Sequence, residues 1–148
     1  MLTELTLATV MVILTVLIHL TGLAVLTRVL RSHSQLMRQL RVMPLTLLLT
    51  ATLGIIAIHT VEVWLWAALY LFGLEVFRVF EEALYFSTVT YASVGYGDLL
   101  MPPQWRILGA IEGAAGIIML GWSTAYLVSV LTQLNVLRHD WLGGEIGH

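Results

Sequence analysis

The sequence predicts an all-α membrane protein with three transmembrane helices and one shorter helix that enters the membrane and returns. Three observations predict this. The 148 residues are 59% hydrophobic and only 11% charged, whereas soluble domains are roughly a quarter charged. Three apolar stretches, residues 5–27, 45–74 and 107–137, each reach the roughly 20 residues that a helix needs to cross a hydrocarbon core about 30 Å thick. A fourth apolar segment, residues 82–92, is about half that length and runs into a glycine-containing tail. It is re-entrant, an arrangement tolerated at membrane depth only where protein or a water-filled cavity surrounds the backbone.

The first span reads as a retained helix. Its apolar run exceeds the core of a signal peptide, its positive charge follows the run, and Glu4 sits where such a peptide would be basic. All seven basic residues are arginine, and Arg28, Arg31, Arg38 and Arg41 crowd the connection after this span. That connection is expected to be cytoplasmic. Two three-residue spacings among these arginines resemble a voltage sensor, but the polar Ser32-His33-Ser34-Gln35 between them reads as loop. Three spans put Arg138 on the same side, so the N-terminus is expected outside and the C-terminus in the cytoplasm. Glu75, Glu81, Glu82 and Asp98 then fall outside, with Arg78 and Arg106 as the basic exceptions.

The second span opens after Pro44, which suits a helix start, and closes at Gly73. Trp64, Trp66 and Tyr70 near its far end read as an aromatic belt at the outer interface. Pro102 and Pro103 keep the chain out of helix before the third span, which begins at Gln104-Trp105-Arg106.

The segment joining the re-entrant helix to the third span carries the chemistry. Ser93-Val94-Gly95-Tyr96-Gly97 ends on Asp98. Removing water from a cation requires several oxygens at once, and backbone carbonyls supply them without fixed charge. Aiming successive carbonyls to one side needs alternating backbone hand, which Gly95 and Gly97 adopt at no steric cost. Ser93 adds a hydroxyl oxygen, while Val94 and Tyr96 point away to pack the strand. The C-terminal end of the preceding helix contributes partial negative charge favourable to a cation, and Glu81 and Glu82 sit at its positive end.

Residues 90–98, Thr90-Tyr91-Ala92-Ser93-Val94-Gly95-Tyr96-Gly97-Asp98, resemble the signature of the potassium-channel pore-domain family. In that family the filter is built from four such loops around one axis. The resemblance covers roughly residues 83–128. The apolar length and the arginines give residues 1–30 as an extra N-terminal transmembrane helix and 31–43 as a cytoplasmic basic loop. The resemblance gives the rest: a pore domain over 44–137, with outer helix 44–74, pore helix 82–92, filter 93–98 and inner helix 104–137, and a short cytoplasmic tail over 138–148. On this resemblance Ser93, Val94, Gly95, Tyr96 and Gly97 bind potassium, and Asp98, Tyr85 and Thr90 support the filter. Gly116 falls at the family's hinge position, with simple close packing as its other reading. Ile117, Leu120, Thr124 and Val128 share a helical face and would line the cavity, and Gly109, Gly113 and Gly116 form a ridge that permits close helix approach.

Departures from the pattern are specific. Ser93 replaces the usual Thr, Tyr85 and Phe86 stand where many relatives carry a Trp pair, and Val89 replaces a Glu found in some members. Tyr85 retains a donor for Asp98, whereas Phe86 has none.

Among titratable residues, His59 and Glu62 lie three apart on one face of the second span. They read either as a pH-sensitive gate or as a hydrogen-bonded pair joining this helix to the first span or the pore helix. Glu112 is expected behind the filter, bonded to Ser87 or Thr88. His19 stands alone in the first span, satisfied by a neighbouring backbone or Thr. The five histidines share no ligand spacing, so no metal site other than for potassium is expected, and no catalytic set assembles. There is no Cys, and the net charge of −2 points to no nucleic-acid partner.

The expectation is therefore a homotetramer in the lipid bilayer of a plasma membrane, with no cofactor, passing potassium ions passively. A weakly selective cation channel, or a non-conducting scaffold or accessory subunit, are the alternatives. With so short a tail, no cytoplasmic ligand-binding domain is expected.

Overall fold

The computed structural model describes residues 1–36 and 43–133. Arg38, Arg41 and Arg138, residues 134–137 of the expected inner helix, and the tail from 138 lie outside the described residues. Within them, the protein is all-α. Helix α1 runs Leu2–Leu36, α2 Met43–Ala68, α3 Phe80–Tyr91 and α4 Arg106–Gln133. Residues 32–35, expected as loop for their polarity, instead continue α1 as its last turn, since a polar sequence outside the apolar span can still close helical hydrogen bonds. Three helical stretches, Leu2–Ser32, Leu45–Gly73 and Pro103–Gln133, are long and apolar enough to cross a membrane, and α3, at 12 residues, is not. The chain is thus a multi-pass membrane protein with one half-length helix.

Each long helix buries one stripe. On α1 the buried residues are Glu4, Ala8, Met11, Thr15, His19 and Leu26, and on α2 Leu47, Ala51, Ile58, Glu62, Trp66 and Ala67, with Tyr70 just beyond its end. These steps of three and four place one row of side chains per helix against its neighbours. Gly22 of α1 lies under Ile58 and Gly54 of α2 under Leu26, so the two helices meet through reciprocal small-for-large contacts of the kind that drive packing in lipid. On α4, Leu108, Glu112, Ala115, Met119 and Ser123 form the buried row.

The end of α2 departs from α-helical geometry. Leu69–Gly73 form a π-turn, closed by Leu74 N–H donating to the Leu69 carbonyl at 2.9 Å and followed by Val76 N–H to Tyr70 O at 2.9 Å. The wider turn holds Tyr70 in the core, fully buried, where its ring meets Phe77 and Phe86 edge-on. This aromatic cluster supports the buried face of α3, made of Ala83, Phe86, Ser87 and Tyr91. A 3₁₀ turn, Pro103–Trp105, leads into α4, as the missing Pro donors require.

The aromatic belt expected on α2 is corrected. Only Trp64 faces outward; Trp66 and Tyr70 are fully buried. Trp66 Nε1–H donates to Thr15 Oγ1 of α1 at 3.0 Å, and Tyr70 O–H to Glu112 Oε2 at 2.6 Å. An indole or phenol carries its own donor, and a buried carboxylate or hydroxyl on a neighbouring helix holds it more firmly than an interface does.

Candidate functional site

The strand after α3 begins with a tightly bonded helix end. Ser93 N–H donates to Thr90 O at 2.9 Å, Val94 N–H to Val89 O at 2.8 Å and Gly95 N–H to Val89 O at 3.2 Å. These bonds satisfy the Val89 and Thr90 carbonyls and launch the chain away from the helix end. Positive φ then recurs at every second residue, 56° at Ser93, 53° at Gly95 and 79° at Gly97, with none at Val94 or Tyr96. Alternating hand is the backbone condition for pointing successive carbonyls one way. The two glycines take it freely; Ser93 takes it as a non-glycine residue, where such a conformation is uncommon and marks functional sites. A Cβ at Gly95 or Gly97 would meet nothing within 4 Å in the single subunit, so within one chain it is the backbone conformation that calls for glycine there.

Both ends of the strand are held. At the inner end Ser93 Oγ reaches the Gly113 carbonyl of α4 at 3.4 Å. At the outer end Tyr85 O–H donates to Asp98 Oδ2 at 2.7 Å, and Leu99 N–H to Asp98 Oδ1 at 3.1 Å. The Tyr85 hydroxyl holds the Asp98 carboxyl below the usual carboxylate range, because it bonds to the ionised form. The contribution of this bond to strand stability is complete above the ordinary Asp value of about 4 and is lost as pH falls through the depressed one. Tyr85→Phe is expected to raise the Asp98 titration toward that ordinary value, read by carbon NMR of the labelled carboxyl. An unchanged titration would show that the hydroxyl does not hold the strand.

Behind the strand, Glu112 of α4 is fully buried and accepts from Ser87 Oγ of α3 at 2.5 Å and from Tyr70 of α2. One carboxylate thus fastens three helices. Gly116, also on α4, lies against the last turn of α3. A Cβ there would run into the Tyr91 carbonyl oxygen and stand 2.8 Å from its carbon. Ile117, Leu120, Thr124 and Val128 of the same helix are exposed in the single subunit, and Thr90 lines a cleft of about 410 Å³ between α3 and α4 with Phe86, Val89, Ser93 and Gly113.

A second centre joins all four helices. Glu62 of α2 is fully buried; its Oε1 lies 2.9 Å from His19 Nδ1 of α1 and its Oε2 2.9 Å from His59 Nδ1. Tyr91 O–H, at the end of α3, donates to Oε2 at 2.5 Å. On the far side of the rings, His59 Nε2 lies 2.9 Å and His19 Nε2 3.5 Å from Ser123 Oγ of α4. His19 is therefore not satisfied by a backbone group or a Thr, as its solitary position suggests; its partner is a carboxylate 43 residues away. Three ligand-type atoms of His19, His59 and Glu62 lie within 4.8 Å of one another, a grouping invisible to spacing because two helices supply it. Sequence reasoning does not single out Ser123 or Tyr91 for this centre either. The available signal is a polar residue on the buried row of an apolar helix.

The model of an ion-channel family matches residues 45–133, more than half of the chain. The chain belongs to this family of ion channels. The matched part of the channel runs from the start of α2 to the end of α4 and so contains the half-length helix and its strand; α1 lies before it. Neither the curated proteins nor the solved structures yield a match to the channel.

Proposed function

We propose that the protein is a potassium-selective channel in which four copies of residues 93–97 meet around one axis. The observation that carries this reading is the alternation of positive φ at Ser93, Gly95 and Gly97 in a strand that follows a half-length helix between two membrane-crossing ones. Such a strand offers carbonyl oxygens in a row, the groups that replace the hydration shell of potassium in filters of this kind. One strand cannot surround an ion, so closed rotational symmetry completes the site. The single subunit supports that need: Val94 is 51% and Tyr96 72% exposed, beside the cleft between α3 and α4. In the assembly, neighbouring copies cover these apolar side chains, and Ile117, Leu120, Thr124 and Val128 face the cavity. The arginines of the α1–α2 connection favour a cytoplasmic position for it and an outside N-terminus.

The experiment is a bilayer recording of the purified protein with potassium on one side and sodium on the other. The reversal potential is expected to follow the potassium gradient. A value near zero would favour a weakly selective cation pore, and absence of current under any condition would favour a scaffold.

A further inference from the structure

We propose that Glu62, His19, His59 and Ser123 form a proton-binding ring that stores one proton between the two imidazoles and couples α1 to the base of the filter strand. The four side chains close on themselves. Glu62 meets both Nδ1 atoms, Ser123 faces both Nε2 atoms, and the rings lie 5.3 Å apart between them.

Counting hydrogens decides how the ring is filled. An ionised carboxylate only accepts, a neutral imidazole donates from one nitrogen and accepts at the other, and a serine hydroxyl has one hydrogen to give. With Glu62 ionised, both imidazoles must carry hydrogen on Nδ1 to avoid setting a lone pair against the carboxylate. Both Nε2 atoms then accept, and one hydroxyl hydrogen serves only one of them. With Glu62 ionised, as the three donors that face it favour, no neutral assignment of the two histidines pairs every atom. A proton on Glu62 Oε2 with two neutral rings would pair them too, but would leave only two of the four ring nitrogens with hydrogen. Adding one proton resolves this: one Nε2–H donates to Ser123, Ser123 donates to the other Nε2, and both Nδ1–H groups donate to Glu62. The proton can rest on either ring with all atoms paired. The ring is then also electrically neutral, one imidazolium against one carboxylate. Without the proton it carries a net negative charge inside the membrane, where a charge is costly; a second proton leaves the hydroxyl hydrogen without an acceptor and the ring positive.

The same atoms are close enough to gather a divalent cation. That would require breaking both Nδ1–Glu62 hydrogen bonds and would leave net positive charge beside the fully buried His19 and Glu62. A proton keeps every bond already present.

The titratable groups facing the ring come from three helices: His19 from α1, His59 and Glu62 from α2, and Tyr91 from α3, whose hydroxyl bonds Glu62. From α4 come neutral Ser123 and the Trp122 ring, 6.1 Å from His19; Glu112, eleven residues before Ser123 on α4, accepts from Ser87 and Tyr70. Tyr91 stands two residues before Ser93, and its carbonyl is the group against which Gly116 packs. Loss of the proton removes the donor from the link between a histidine Nε2 and Ser123, so α1 and α4 lose a shared bond in the ring that the Tyr91 hydroxyl reaches from the end of α3.

The test uses the full chain in lipid vesicles, with ¹⁵N-labelled histidine and His33→Gln, His139→Gln and His148→Gln to isolate the two rings. At neutral pH, three of the four ring nitrogens are expected to carry hydrogen; two or four would overturn the proposal. Ser123→Ala is expected to lower the count to two at the same pH and Ser123→Thr to restore three, and retention of three in Ser123→Ala would contradict the ring. Should Ser123→Ala not fold, His19→Asn replaces it, with one of the two remaining nitrogens protonated expected and two contradictory. Ion flux, which rests on the proposed channel reading, is expected to change roughly fivefold or more as the third hydrogen is lost on raising pH, the low end of ordinary coupling between sites. His19→Asn is expected to abolish that dependence, and its persistence would sink the coupling. A protein that passes no ions counts against the channel reading alone, since the nitrogen count does not depend on conduction.

Discussion

Gly116→Ala is expected to abolish the assembled protein. The added methyl would enter the space of the Tyr91 carbonyl, with the Tyr91 carbonyl carbon 2.8 Å and Cα 3.1 Å away. Both sides of this contact are backbone, so no rotamer change relieves it, and α3 or α4 must shift. Overpacking ordinarily costs about 1–3 kcal/mol, and this site lies at or beyond the upper end. The shift would also displace the base of the filter strand. Gly109→Ala provides the contrast, because its Cβ would rest 3.4 Å from Met101 Cγ and 3.5 Å from Phe86 Cζ, ordinary contacts with side chains. Thermal unfolding in detergent, followed with the oligomer fraction by size exclusion, is expected to show a well-folded Gly109→Ala and a largely lost Gly116→Ala. Equal behaviour of the two would mean that the close approach at Gly116 is dispensable, leaving its hinge reading to explain the glycine.

Glu62→Leu is expected to be nearly as damaging, for an electrostatic reason. It removes the acceptor shared by His19, His59 and Tyr91, stranding the buried His19 donor and leaving His59 Nδ1 and the Tyr91 hydroxyl only each other, 3.2 Å apart. An unsatisfied buried donor costs about 1–3 kcal/mol, and the loss is expected to fall in that range even after the gain from a larger apolar side chain. Replacing partners together with apolar groups is much less costly than orphaning one. Glu62→Leu combined with His19→Leu is therefore expected to recover part of the lost melting temperature. A double variant no more stable than the single one would show that His19 does not depend on Glu62.

The number of membrane helices and the half-length helix were legible because bilayer thickness fixes how many apolar residues a crossing takes. The glycines at 95 and 97 were legible because only their backbone tolerates alternating hand cheaply, and positive φ at both follows that reasoning. Ser93 adopts the same hand without any residue-level signal for it. Which face of each long helix turns inward was not legible. In lipid the outward face is as apolar as the inward one, so Ala8, Met11 and Leu26 on the buried row of α1 look no different from Val10, Ile13 and Leu17 outside it. For that reason Trp66 and Tyr70 read as an interfacial belt when they are core residues, and His19 reads as solitary when it faces Glu62. The titratable Glu4, His19, Glu62 and Glu112 lie on the inner rows, whereas threonines such as Thr9, Thr52 and Thr60 are exposed, and the titratable groups disclose their partners only once the helices are placed together. Glu112, whose position relative to Arg106 directs attention behind the filter, accepts from Ser87 as well as from Tyr70, which its own span's sequence does not reveal.

The most direct measurement of the central claim is a structure of the protein in lipid nanodiscs, determined in potassium and again with thallium substituted for it. Four chains around a shared axis are expected, with ion density between the carbonyls of residues 93–97 and enhanced scattering there in thallium. Filter strands that stand apart or face lipid, or a dimer with no common axial opening, would contradict it.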